Sequence, residues 1–292
     1  MRFVNEVMWP GLVSGSLYAL VALGINVVER VTKLVNFAHA QLILWAPLSV
    51  LLLTRQFHVP AAIAFFLATG FVVGLALAEE RIAMRPFVGR SNAMPWVLST
   101  LAIGLLLERA ASYQFGGQPQ SFPHNVGTRA VSWGELRIAP SEVAVVSTAL
   151  TAVVAVGLLM THTAVGKRLA AVADDPDGAT SVGISAATAS RVAAAIAAVV
   201  AAITGFIAAP TQQVGSALGL GLLFNGFVAA AIGGIGSLKG TLPGGLLLGL
   251  LLSWANANLG PRTLNSILFG ALLVVYLIRP QGLFGTRALR SV

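Results

Sequence analysis

The chain has 292 residues, of which 57% are hydrophobic and only 10% charged, and its mean hydropathy is +0.85. Soluble domains carry roughly 25% charged residues, so this composition excludes a soluble globular protein and predicts a polytopic membrane protein. The net charge of +8 comes from basic residues scattered between apolar runs, which argues against a nucleic-acid partner. The absence of Cys excludes disulfides and thiolate metal sites.

Apolar runs recur along the whole chain, each close to the roughly 20 residues that cross a hydrocarbon core. Runs of this length satisfy their backbone groups in lipid only as helices, so we predict an all-α membrane helix bundle that forms a single domain over 1–292. About nine spans are expected, with a range of eight to ten, because a re-entrant segment near 212–240 would change the count. The predicted spans are 7–28, 36–54, 60–78, 95–115, 140–160, 191–212, 218–238, 241–258 and 263–279.

The distribution of Lys and Arg predicts the orientation, since cytoplasmic loops are enriched in both. With the N-terminus outside and the C-terminus inside, most of the basic residues fall on the cytoplasmic side. Those predicted inside are Arg30, Lys33, Arg81, Arg85, Arg90, Lys167, Arg168, Arg191, Lys239, Arg279, Arg287 and Arg290. Those predicted outside are Arg2, Arg55, Arg129, Arg137 and Arg262.

Catalytic motifs are missing from the sequence. The nearest approach to a phosphate-binding P-loop, around Gly166-Lys167-Arg168, lacks the first Gly and the hydroxyl residue. The four His residues lie far apart in different segments, so a metal site or a nucleophilic His is not expected. We therefore expect neither an enzyme nor a cofactor.

Small residues are frequent within the spans. Three Gly pairs, 11 with 15, 70 with 74 and 245 with 249, lie four residues apart on a helix face, a spacing that lets helix backbones approach closely in lipid. The run 230–245 holds several Gly and Pro243, which bend or break a helix. Two interpretations stay open for this run: a tight connection between two helices, or a hinge.

Polar groups at the ends of spans are candidates for the transport path. Asn36, His39 and Gln41 stand at the start of the second predicted span, where polar side chains can satisfy helix-end amides. They either fix this helix against its neighbours or form an inner gate, and we favour fixing. Asn225 in the seventh span is a further candidate path residue. Glu108 is the one carboxylate expected within a span, which argues against ion-coupled transport.

Several stretches together resemble one family, the LivH-type permeases of branched-chain amino acid ABC transporters. Asn36-Phe37-Ala38-His39-Ala40 is similar to the family signature Asn-Phe-Ala-His-Gly and departs from it at the last position. The run "ERIAMRPFVGRSNAMPWVLSTLAIG", the loop "VGKRLAAVADDPDGATSVGIS", the run "AAIGGIGSLKGTLPGG" and the C-terminal "RPQGLFG" also resemble the family. The resemblance covers essentially the whole chain.

The resemblance implies a permease subunit that does no chemistry itself. It implies force transfer through a short cytoplasmic helix docked into an ATPase, and the loop 161–190 suits that role. The residues expected to form this ATPase-coupling loop are Gly166, Lys167, Arg168, Leu169, Val172, Asp174, Asp175 and Gly183.

The implied partners are a second, LivM-like permease subunit, two ABC ATPase subunits and an extracytoplasmic solute-binding protein, in a bacterial inner membrane. The implied cargo is a branched-chain or other hydrophobic amino acid moved into the cytoplasm. A LivH-like permease for urea or short amides is an alternative, and a stand-alone secondary transporter or channel is another from a different class.

Overall fold

The computed structural model describes residues 3–88, 94–122, 131–133 and 136–285. Within these ranges the chain forms eleven α-helices and one small antiparallel hairpin. The helices are α1 Trp9–Thr32, α2 His39–Arg55, α3 Ala61–Glu79, α4 Pro95–Phe115, α5 Pro140–His162, α6 Ala164–Asp174, α7 Pro176–Ser181, α8 Ala186–Ala208, α9 Ser216–Gly233, α10 Leu238–Leu259 and α11 Leu264–Ile278. The strands are β1 Val131–Trp133 and β2 Leu136–Ile138, with Val131 opposite Ile138.

The predicted helical character is confirmed, because each of the nine predicted spans overlaps a helix. Six helical segments of the described residues are long and apolar enough to cross a membrane. They are Val4–Thr32, Ala61–Phe87, Pro140–His162, Ala186–Ala208, Leu238–Leu259 and Pro261–Ile278. The nine-span count stays a prediction. Five of the basic residues that predict the orientation lie outside the described residues: Arg2, Arg90, Arg129, Arg287 and Arg290.

The first helix forms the centre of the bundle and packs most closely on α10. Gly11 and Gly15 of α1 face Gly245 and Gly249 of α10, and a Cβ at any of the four would meet backbone atoms of the other helix. The two spaced pairs therefore act together, since each removes the side chain that would hold the other helix away. This close packing agrees with the prediction for these two pairs.

The third spaced pair behaves differently. Gly70 and Gly74 lie on α3, and a Cβ at either would have open space within 4 Å among the described residues. The prediction of tight helix packing at this pair is therefore wrong within the chain. The face of α3 that carries these two glycines makes no close helix contact, because no helix of the described residues covers it.

The run 230–245 forms a tight connection. α9 ends at Gly233, Gly234 and Gly236 have φ of 107° and 78°, and Ser237 caps α10 by accepting a hydrogen bond from the Gly240 amide at 3.3 Å. Gly233 and Gly240 pack backbone to backbone. Left-handed φ values and contacts without side chains together explain why this stretch is so rich in Gly.

The C-terminal segment 279–285 folds back onto this connection. The Leu283 amide donates to the Ile232 carbonyl at 2.8 Å, and the Phe284 amide donates to the Gly233 carbonyl at 2.9 Å. Gly282, with φ of 74°, lies against Gly234. Segment 279–285 therefore satisfies the last carbonyl groups of α9, which have no partner within their own helix.

The bundle has two ends. At the first, called here the Lys33 end, the C-terminus of α1 meets the end of α6, the α9–α10 connection and Phe284 around a cavity of about 590 Å³. At the second, the Arg55 end, the Arg55 guanidinium donates to Gln120 and Ser121, and Gln120 pairs with Val214. These two groups of connections are the ones that the Lys and Arg pattern assigns to opposite sides of the membrane.

Candidate functional site

The predicted coupling loop folds into two short helices, α6 and α7. Thr163 caps α6 by accepting a hydrogen bond from the Gly166 amide at 3.1 Å, and Asp175 caps α7 by accepting from the Gly178 amide at 2.9 Å. Pro176 occupies the first position of α7, where its missing N–H costs no helical bond. Asp175 and Pro176 therefore mark the start of the second helix of the loop.

The first of these helices has one apolar face and one charged face. Leu169 and Val172 are each 2% exposed, and they pack in a core cluster with residues of α1, α5 and α8. Lys167 and Arg168 are exposed on the opposite face. The helix α6 is thus amphipathic, and its apolar side anchors it to the bundle while its basic side stays exposed.

Gly166 brings α6 close to the end of α5. A Cβ at this position would overlap the backbone of Leu159 and Met160. Gly183, after α7, has φ of 83° and open space around it, so its role is conformational. Between these two glycines, Asp174 and Asp175 are exposed at the α6–α7 junction, and Asp174 lines the cavity at the Lys33 end.

The second helix of the membrane bundle starts deep inside it. Its first residue, His39, lies against Gly24 of α1, eight residues before α1 ends at Thr32, which is about 12 Å at 1.5 Å per residue. The backbone of Ala38 lies against Gly104, near the middle of α4. The non-helical chain at 33–38 therefore enters the bundle, and such backbone survives at depth only where protein covers it.

Asn36 holds this entering segment in place. Its side-chain oxygen accepts a hydrogen bond from the Ala38 amide at 2.9 Å, and Asn36 as a whole is 6% exposed. His39 and Gln41 are 1% and 2% exposed, and His39 Nε2 and Gln41 Oε1 have no hydrogen-bond partner among the described residues. The structure thus brings three predicted site residues together at the buried start of α2.

Asn225 stands apart from that group. It is half-buried on α9 and donates a hydrogen bond to the Gly221 carbonyl of its own helix at 3.0 Å. The neighbouring Gly226 packs against Val21 of α1. Within the described ranges, no hydrogen bond links Asn225 to the start of α2.

Two buried carboxylates were missed by the sequence reasoning. Glu79 and Glu80 end the third span and are 2% and 1% exposed, whereas Glu108 on α4 is only half-buried. The expectation that Glu108 is the one carboxylate within a span is therefore wrong. Glu80 pairs with Arg85 at 2.8 Å, and the Glu79 carboxyl group lies beside the Asn36 amide. The helical segment continues past residue 78 to Phe87 as π and 3₁₀ turns. The predicted span 60–78 stops short of these turns and therefore placed both glutamates in a loop.

Asn26 was also missed. It is fully buried in the last third of α1, and its side chain makes three contacts with the α9–α10 connection. It accepts from the Gly236 amide at 2.9 Å and donates to Ser237 O at 3.2 Å and to Thr241 Oγ1 at 3.0 Å. A lone Asn inside an apolar span is costly in lipid unless it has partners. That cost is the signal in the sequence that could have identified it.

The described residues thus form a helix bundle in which the α6–α7 pair and the deep polar start of α2 both lie close to α1. A family model described as branched-chain amino acid transport system / permease component matches residues 7–277. The chain belongs to this family.

Relatives of the chain are similar over nearly their full length. The high-affinity branched-chain amino acid transport system permease protein BraD of Pseudomonas aeruginosa is 26% identical, with 97% of this chain and 96% of BraD aligned. The permease protein LivH of Escherichia coli K12, named for the same transport system, is 26% identical, with 98% and 96% aligned. A solved structure, PsaBC from Streptococcus pneumoniae in complex with Fab, aligns with a TM-score of 0.49 at 13% identity, covering 96% of this chain and 95% of that one.

Proposed function

We propose that this chain is the membrane-spanning permease subunit of an ATP-driven importer that moves branched-chain amino acids into the cytoplasm. The family match over 7–277 carries this proposal, and the printed names of the full-length relatives support the substrate class. The same names give no support to the urea and amide alternative or to a stand-alone transporter.

The proposed topology has nine spans in a bacterial inner membrane, with the N-terminus outside and the C-terminus inside. The two-ended arrangement supports it, because Lys33, Asp174 and Lys239 line one cavity at the Lys33 end. That end is then cytoplasmic, and the Arg55 end faces the outside. Residues 161–190, including α6 and α7, then project toward the cytoplasm.

The proposed assembly has a second, LivM-like permease, two ABC ATPase subunits and a solute-binding protein outside. ATP hydrolysis belongs to the ATPase subunits, so this subunit is not an enzyme. Force enters through the exposed side of the α6–α7 pair, where Lys167 and Arg168 are free of the bundle and Val182 is 74% exposed. Leu169 and Val172 pass the movement to the bundle, since they are buried against α1, α5 and α8.

The roles proposed for the α2 residues follow from their positions. Asn36 fixes the entry of the chain through its bond to the Ala38 amide, and His39 fills the space left by Gly24. Gln41 lies two residues, about half a turn, further along the buried helix. This arrangement supports fixing of the helix more than it supports a gate, while Asn225, half-buried on α9, is proposed to face the transport path.

A charge reversal on α6 tests the proposal. Lys167→Glu with Arg168→Glu changes only exposed side chains, so the bundle and its insertion are expected to stay intact while the ATPase contact is lost. Reconstituted with its partner subunits in proteoliposomes, the variant is expected to lose at least tenfold in ATP-dependent leucine uptake. Arg262→Glu, an exposed cation at the start of α11, is the matched control and is expected to transport normally.

Unchanged uptake by the α6 variant would refute the coupling role of this loop. Leucine uptake that continues with neither ATP nor ATPase subunits would refute the importer itself.

A further inference from the structure

A groove at the Lys33 end of the bundle combines an apolar wall with two basic residues. It has a volume of about 220 Å³ and lies between α1, α5, α6 and α10. Val153, Gly157 and Met160 of α5 and Leu238 of α10 form its apolar wall. Arg30, near the end of α1, and Lys239, in the first turn of α10, both line the groove.

The two cations are available to a ligand. Within the described ranges neither Arg30 nor Lys239 has an ion-pair partner, and no acidic residue lines the groove. Glu29 and Asp174 lie in the neighbouring cavity, which Arg30 and Lys239 share with Lys33, so the surroundings keep an excess of positive charge. A phosphate group is the anion that such a pair of cations suits.

The apolar wall adds a second requirement. The groove is smaller than the roughly 300–1,000 Å³ of ordinary small-molecule pockets. Only 22% of the most apolar stretch of α5 is buried within the bundle. A ligand seated here therefore stays in contact with the bilayer. Gly157 contributes open space, because a Cβ there would meet no atom of the described residues within 4 Å.

We propose that this groove binds one anionic phospholipid of the inner leaflet, with its phosphate between Arg30 and Lys239 and part of one acyl chain along Gly157. The proposal rests on the cytoplasmic placement of the Lys33 end proposed above. The lipid would then touch α1, α6 and α10 at once, and so it would bear directly on the α6 helix that faces the ATPase.

Lipid binding by the purified, delipidated full chain tests the proposal. Native mass spectrometry would compare phosphatidylglycerol with phosphatidylcholine of the same acyl chains, and the wild type is expected to bind one phosphatidylglycerol in preference. Arg30→Gln and Lys239→Gln are each expected to weaken that binding about fivefold. Gly157→Leu fills the open space and is expected to abolish it.

Two variants serve as matched controls. Arg191→Gln removes an exposed cation of α8, and Gly74→Leu adds the same bulk to an open glycine of α3; both are expected to bind lipid as the wild type does. Equal binding of the two lipids by the wild type, or equal effects of test and control variants, would overturn the proposal. Displacement of the lipid by millimolar inorganic phosphate would also overturn it, because it would identify a site for the free anion.

Leucine uptake separates this proposal from the proposed function. If the wild-type protein transports leucine but shows no lipid preference, the proposed lipid site is refuted and the proposed importer function is retained.

Discussion

At the scale of single residues, Asn26 joins the central helix to the α9–α10 connection. Asn26→Leu keeps a similar volume but leaves the Gly236 amide without its acceptor, and a buried unpaired group costs about 1–3 kcal/mol. We expect a lower thermal unfolding midpoint for the variant in detergent. The measurement is the loss of helical signal or of monodisperse protein with temperature.

The control for that change is Asn258→Leu. Asn258 is exposed on α10 and donates only to the Trp254 carbonyl of its own helix, so its loss is expected to leave the midpoint nearly unchanged. Equal midpoints for both variants would mean that the three Asn26 contacts contribute nothing to stability.

Residue types alone do not distinguish Gly15 from Gly74. Both belong to spaced pairs, yet Gly15 meets the backbone of α10 and Gly74 meets open space. The spacing identifies the helix face that lacks side chains. Whether another helix packs on that face depends on the arrangement of the whole bundle. The sequence therefore predicts where helices can approach closely and leaves open whether they do.

At the scale of elements, segment 279–285 is expected to depend on Gly282. Gly282→Ala places a methyl group into the backbone of Gly234 and opposes a φ of 74°, so the hydrogen bonds from Leu283 and Phe284 to the end of α9 are expected to break. Hydrogen exchange of these two amides measures the effect, and we expect it to be at least tenfold faster than in the wild type.

Gly260→Ala is the matched control because Gly260 has a similar φ of 83° but open space around it. Both variants place a side chain at a positive φ, which costs about 1–3 kcal/mol. Slow exchange at 283 and 284 in both proteins would show that the contact with Gly234 is not needed to hold the segment.

The bounds of the long helices could largely be predicted from the sequence, whereas the depth of their ends could not. Among the described residues, apolar runs located nine long helices to within five residues at each end, because burial in lipid acts on each run separately. The same rule missed the end of the third helical segment, where the buried Glu79 and Glu80 lie at the junction of α3 with a π-helical turn that packs against α4 and α8. The deep start of α2 was missed for a similar reason, since the depth of His39 depends on its contact with Gly24.

At the scale of the whole molecule, the absence of native Cys makes the topology directly measurable. Single Cys residues at Arg55 and Arg262 are expected to react with a membrane-impermeant maleimide added to intact cells. Single Cys residues at Lys33 and Asp177 are expected to react only after the membrane is opened. All four side chains are exposed, so differences in labelling report sidedness and not burial within the chain.

Labelling of position 33 or 177 in intact cells would reverse the proposed orientation. The bundle itself would stand, since its packing does not depend on which end faces the cytoplasm.

The deep start of α2 has a consequence for how the chain is made. With 17 residues, α2 is about 26 Å long, which is less than the roughly 30 Å of a hydrocarbon core. Its non-helical entry at 33–38 would also expose unpaired backbone groups to lipid if α2 entered alone. During biosynthesis, we therefore expect α2 to leave the insertion machinery together with α1 and to reach its final depth only when α4 and the rest of the bundle close around it.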